Sequence, residues 1–239
     1  MAKFPATKTV NSLVRELKKL GTPERAKASA WFFKTGKGEY GEGDKFLGIT
    51  VPVQRSVARR YKHLHLPAIK KLLQSKIHEH RFVALEILVM RYEAGDAAQK
   101  KLIAQFFLKN TKRINNWDLV DTSASYILGD YLLTKDRSVL YKLAASKNIW
   151  QRRIAIIASG AFIREKQYQD TLQIAEMLLD DKHDLIHKAV GWMLREVGNR
   201  SMETEVGFLD KHYRSMPRTM LRYAIEKFPP AKRKHYLSK

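Results

Sequence analysis

Apolar residues recur along this chain at intervals of three and four, the spacing of one face of an α-helix. Val10, Leu13, Val14 and Leu17 predict an amphipathic helix over 9–20. Gly21 stops it, and Thr22 followed by Pro23 has the order of an N-cap and a first-turn proline. The same periodicity predicts helices over 81–92, 117–133, 150–163, 170–179 and 184–197. Pro52 opens another that runs through Arg55 to Tyr61. No stretch alternates with period two, so the expected class is all-α. One segment breaks the pattern: the loop 36–48 carries Gly36, Gly38, Gly41, Gly43 and Gly48 and reads as a connector, ordered or mobile.

A longer period lies over the short one. Arg81, Trp117, Arg153 and Ala189 are spaced by 36 residues. In the same register Val83, Leu119, Ala155 and Gly191 are all apolar or small. A unit of that length with two helices is the mark of a HEAT-like α-helical solenoid, an α–α superhelix. The reading is one domain spanning 1–239, with positions 81, 117 and 153 aligned along one curved face.

Charge then narrows the partner. The chain carries 45 Lys and Arg against 24 Asp and Glu, a formal net charge of +21. Such an excess repels itself unless something anionic sits against it, and nucleic acid is the first candidate. A membrane surface is second, but the cations are spread along the whole chain rather than on one amphipathic helix. There are no cysteines, which excludes disulfides, thiolate metal sites and a thiol nucleophile. The first residues lack the apolar stretch of a signal peptide, and no run is long enough to span a membrane. The expectation is a cytoplasmic monomer, on the nucleoid when bound to DNA.

Against this basic background, residues 113–130 are acidic. Trp117 and Asp121 are i and i+4, so they share a helical face, with Asp118 beside them. Either carboxylate could pair with a core-side arginine or cap a helix; the sharper reading is that one faces a cation that develops during a reaction. Arg152 and Arg153, in Trp150-Gln151-Arg152-Arg153, are natural phosphate ligands. Trp192 lies within 188–195; alone it would read as core, but with Trp117, a carboxylate and an arginine it would complete an aromatic box for a cation. Gly36-x-Gly38-x-x-Gly41 fits a nucleotide-loop pattern without the strand that pattern needs. The pairs His63/His65, His78/His80 and His183/His187 lack a third ligand, so they read as solvated surface histidines, and neither metal nor cofactor is expected. The basic segment 227–239 is a solvated tail or an extra phosphate contact.

The motifs then combine. Asn116-Trp117-Asp118-Leu119-Val120-Asp121 with Leu128-Gly129-Asp130, Asn148 through Arg153, Lys188 through Glu196, and Phe46-Leu47-Gly48-Ile49 with Pro52 and Arg55 stand in one order along the chain. Together they resemble the AlkD-like DNA alkylation repair glycosylases, over residues 25–228. The resemblance implies a solenoid with a concave basic face on double-stranded DNA, and excision of cationic N3- and N7-alkylated purines. It implies Asp121 as the catalytic aspartate and Trp117 and Trp192 as the tryptophans at the lesion. It places Arg153 on the DNA backbone, with Arg55 and Arg222 as further phosphate contacts; Arg152 and Lys188, within the matched motifs, join that basic set. Thr50-Val51 departs from the family's Gln-Thr before the proline, and the segment 35–44 is longer than in relatives. The alternative function is a non-catalytic HEAT-repeat protein that recognises distorted or branched DNA.

Overall fold

The structure is a computed structural model in which residues 8–238 are described. Helix follows helix, and the described residues form no strand beyond an isolated bridge between Lys45 and Ile77. The chain divides into two compact units, one ending at Ser123 and the other beginning at Ala124.

The first unit contains α1 (Val10–Leu20), α2 (Pro23–Phe32), α3 (Val51–Arg60), α4 (Leu66–Leu73), α5 (His78–Glu93), α6 (Ala97–Lys109) and α7 (Trp117–Asp121). Thr9 caps α1 in a reciprocal box with Ser12, and Leu13 and Leu17 point into the core. Helix α5 is the centre of the unit: every residue from Phe82 to Leu88 is buried, including Glu86, because α3 and α4 cover it. It therefore shows no polar stripe, as expected of a helix enclosed on all sides.

The glycine-rich segment is an ordered series of turns. Gly41 N–H bonds Lys34 O at 3.0 Å, and Asp44 N–H bonds Gly41 O at 3.1 Å. Lys45 then pairs with the start of α5, through Lys45 N–H to Lys76 O at 3.0 Å and His78 N–H to Lys45 O at 2.8 Å. The buried Glu79 carboxylate accepts from the backbone N–H groups of Leu47 at 3.0 Å and Gly48 at 2.8 Å. Gly48 has φ +81, and a Cβ there would lie 2.4 Å from both Thr22 O and Ala26 N, so only glycine fits.

The second unit begins with a π-helical turn, Ser125–Gly129, and continues with α8 (Ser138–Ala144), α9 (Ile149–Ala158), α10 (Gly160–Arg164), α11 (Gln169–Met177), α12 (Asp184–Gly198), α13 (Met202–His212), α14 (Arg218–Ala224) and α15 (Pro230–Leu237). Two helices predicted as continuous are broken. The span 117–133 breaks at Thr122–Ser123, where Ser123 Oγ donates back to Leu119 O at 2.6 Å. The span 150–163 breaks at Ser159, whose Oγ donates to Ile156 O at 2.7 Å. Hydroxyls that bond the preceding turn compete with the helix ladder, which apolar periodicity does not register.

The repeat is present, but its register is not 36. Three turns share one construction. Ser75, Ser146 and Asp181 each accept, on the side chain, the N–H two residues on: Ile77 at 3.0 Å, Asn148 at 3.1 Å and His183 at 2.9 Å. The carbonyl of each accepts from the side chain six residues on: Arg81 at 3.0 Å, Arg152 at 3.0 Å and His187 at 2.5 Å. The equivalent positions are thus 81, 152 and 187, separated by 71 and 35. Arg81, Trp117 and Arg153 stand fourth, first and fifth in their helices, so the expected alignment of 81, 117 and 153 is corrected. Unequal connectors defeat a fixed spacing.

Helices α12 and α14 meet closely at Gly191, where a Cβ would lie 2.4 Å from Met220 O and 2.5 Å from Tyr223 Cβ. Gly207 in α13 has nothing within 4 Å. Gly191→Ala should therefore destabilise the protein by about 1–3 kcal/mol through overpacking. Gly207→Ala should stabilise it by about 0.5–1 kcal/mol. Urea denaturation of the two variants checks both signs.

Candidate nucleic-acid site

Helix α7 is short, and its placement depends on neighbours. Asn116 caps it, accepting from Trp117 N–H at 2.8 Å, while Asn116 Nδ2 donates to Asp44 Oδ2 at 3.3 Å. Leu119 and Val120 enter the core, whereas Trp117, Asp118 and Asp121 are half-buried. The Trp117 ring stacks on Phe33 at 5.4 Å between centroids and meets the edge of Phe32 at 6.0 Å. Phe33 in turn stacks on Phe46 at 5.1 Å.

Beneath these rings lies His78. Phe33 and Phe46 lie 4.9 and 4.7 Å from its imidazole. Its Nε2 contacts Asp118 Oδ2 at 2.8 Å and its Nδ1 contacts Asp44 Oδ2 at 3.3 Å. Arg81 Nη2 reaches the same Asp44 oxygen at 2.7 Å. Burial opposes a charge on His78, but attraction and hydrogen bonding from Asp118, helped by Asp44, push its pKa up to about 9. Burial also opposes ionisation of Asp44, yet the bond from His78 and the attraction of Arg81 hold that carboxyl below its usual range. Two sequence expectations are corrected here. His78 and His80 are buried, with His80 Nδ1 on Ser75 Oγ at 2.9 Å, rather than solvated. The core partner of Asp118 is a histidine rather than an arginine, because the start of α5 brings His78 under α7.

Asp121 closes α7. Next to it in sequence, Thr122 Oγ1 donates to Glu86 Oε1 at 2.7 Å, and Arg55 Nε donates to the same oxygen at 3.1 Å. The Arg55 side chain stays 50% exposed. This unit thus holds Trp117, Asp121 and Arg55.

The second unit holds the remaining candidates. Arg152 is committed internally, to Asp181 at 2.6 Å and to Ser146 O at 3.0 Å. Arg153 is only 5% exposed and donates to Leu185 O. Lys188 pairs with Asp184 at 2.8 Å within α12. Trp192 is half-buried, one turn beyond Lys188 on α12, while Trp150 belongs to the core. Arg222 is exposed on α14.

Sequence reasoning missed the aromatic seat of Trp117. Trp31, Phe32 and Phe33 are consecutive, and three aromatics in a row cannot all face one core; that was the available signal. Trp31 is indeed 83% exposed, and Phe33 turns inward onto Trp117 and His78.

A solved structure described as a predicted DNA alkylation repair enzyme from Enterococcus faecalis is similar over 88% of this chain and 97% of its own, at TM-score 0.68 and 15% identity. AlkD2 from Streptococcus mutans is similar over 93% of this chain and 100% of its own, at TM-score 0.51 and 15% identity. These likenesses are of fold, and the fold is the all-α helical-repeat solenoid that the periodicity predicted. No curated protein shows significant sequence similarity to the chain. The sequence model of the DNA alkylation repair enzyme family matches residues 13–228, and the chain belongs to that family.

Proposed function

We propose that this protein is a monofunctional glycosylase that hydrolyses the N-glycosidic bond of cationic N3- and N7-alkylated purines in double-stranded DNA, working as a cytoplasmic monomer. The observation that carries this reading is the composition of α7. Asp121 stands one turn from Trp117 on that helix, half-buried, in a chain of net charge +21. A carboxylate one turn from an aromatic face suits positive charge that develops during a reaction.

The chemistry fits such a pair. An alkylated purine already carries positive charge, so it leaves without being protonated. As the C1′–N bond breaks, its electrons neutralise the purine and oxocarbenium character builds on the sugar. Asp121 stabilises that charge and accepts the proton of the water that bonds C1′. The Trp117 face favours a cationic sugar and base by roughly 0.5–2 kcal/mol, and Trp192 is the aromatic candidate of the second unit. Arg55, Arg152, Arg153, Lys188 and Arg222 are the proposed phosphate contacts. Their settings differ. Arg222 is exposed and Arg55 half so, whereas Arg153 has to leave its packed position or present only an edge.

Asp121→Asn should lower release of 7-methylguanine from methylated duplex DNA by at least about 100-fold and leave DNA affinity unchanged. An unaltered excision rate would defeat the assignment. Intact binding with no release by the unmodified protein would favour the non-catalytic reading.

Arg222→Ala should reduce the slope of log affinity against log salt by about 0.9. Arg153→Ala should reduce it similarly and also lower the melting temperature, since its guanidinium is packed on Leu185. Binding isotherms at several salt concentrations, with thermal melts, separate the two.

A further inference from the structure

The ionic group behind Trp117 is unusual in its expense. Four charged side chains, Asp44, His78, Arg81 and Asp118, are gathered with side-chain exposures of 5, 3, 3 and 15%. Buried ion pairs seldom exceed in stability the apolar residues that could replace them. Stability alone therefore does not account for the group, and its geometry suggests what does. Several of the groups that seat the Trp117 ring meet at one imidazole. Asp118, the residue after Trp117, is held by Nε2 at 2.8 Å. Asp44, at the end of the glycine-rich segment, faces Nδ1 at 3.3 Å and also holds the α7 cap Asn116. Phe33, on which Trp117 stacks, and Phe46, on which Phe33 stacks, both lie against the same ring.

We propose that His78 is the positioning residue of the site: its doubly protonated imidazole sets the orientation of the Trp117 ring by clamping α7 through Asp118 and the glycine-rich segment through Asp44. The geometry favours protonation. Each ring nitrogen faces a carboxylate oxygen that accepts, Asp118 at 2.8 Å and Asp44 at 3.3 Å, and only the doubly protonated ring donates to both. The charged groups facing the ring are Asp44 from the glycine-rich segment, Asp118 from α7 and Arg81 from α5 itself; Asn116 is the neutral neighbour. Arg81 is fixed by Ser75 O at 3.0 Å, and its Nη2 lies 2.7 Å from Asp44 Oδ2 and 3.5 Å from His78 Nδ1. The sign is that of a raised histidine pKa: the clamp is complete at neutral pH and opens as pH rises through about 9. The neutral ring keeps one N–H, so one of the two carboxylates loses its donor and the seat of Trp117 loosens. The value of that seat for excision rests on the function proposed above; the clamp itself does not.

The test labels the tryptophans Trp31, Trp117, Trp150 and Trp192 with 5-fluorotryptophan, assigns the Trp117 fluorine resonance with Trp117→Phe, and titrates the full chain from about pH 7 to 10. The Trp117 resonance should shift with a midpoint of about 9, and those of Trp150 and Trp192 should not share that midpoint. In His78→Gln the titration should vanish. In Asp118→Asn the midpoint should fall by at least about one unit, because the nearer carboxylate partner is gone. A Trp117 resonance that does not titrate, or that titrates unchanged in His78→Gln, overturns the proposal. If His78→Gln does not fold, the unmodified protein and Asp118→Asn decide. Folded His78→Gln should also slow single-turnover excision by about 10–100-fold with DNA affinity within about two-fold. An unchanged rate there rejects the positioning role. Should the unmodified protein release no base at all, the glycosylase reading fails while the fluorine titration still judges His78.

Discussion

The contact on which the first unit most depends is that of His78 with two carboxylates. Both partners come from segments with little structure of their own. Helix α7 is five residues long, far below the length at which a helix holds itself together in water. The segment before α3 is a chain of turns rich in glycine, the residue with most conformational freedom to lose. Neither would keep a shape alone. The start of α5 supplies what they lack: His78 binds one carboxylate from each, and Glu79, the next residue, binds the backbone that follows the turns. Because α5 is itself enclosed by the core, these two side chains act as fixed posts.

Charge is used here in two different ways. The buried group is nearly neutral in sum, with two cations against two anions, and it orders the chain. The net charge of +21 resides elsewhere and concerns partners. Asp118, bound by His78, belongs to the buried group. Trp117, the residue before it, has its ring backed by Phe33 and Phe32. An aromatic face pre-set by stacking loses little freedom when it meets a cation, so its contribution is not spent on ordering.

The sequence was legible wherever one helix face carries the information. Leu13 and Leu17 of α1, and the buried face of α12 at Ile186, Ala189, Val190, Met193 and Leu194, lie where a 3.6-residue period puts them. The family motifs were legible because they are contiguous, and the match over residues 13–228 agrees with them. Hydroxyl side chains set the helix breaks at Ser123 and Ser159 by bonding the turn before them, a choice between two local partners that periodicity does not weigh. The repeat could be sensed but not aligned, since Arg81, Arg152 and His187 match by hydrogen bonds rather than by constant spacing.

Alone, then, the sequence determined an all-helical repeat chain, a strong positive charge, and the pairing of Trp117 with Asp121 on one turn. These are properties of neighbours in sequence or of sums over the chain. The tertiary structure decided that His78 would be buried, charged and bound to Asp118, and that Phe32 and Phe33 would back Trp117. It also decided that Arg153 is packed on Leu185 O while Arg222 is exposed. The contacts behind these outcomes join residues 32 to 85 positions apart, and the free energy of a buried charge depends on what surrounds it in space.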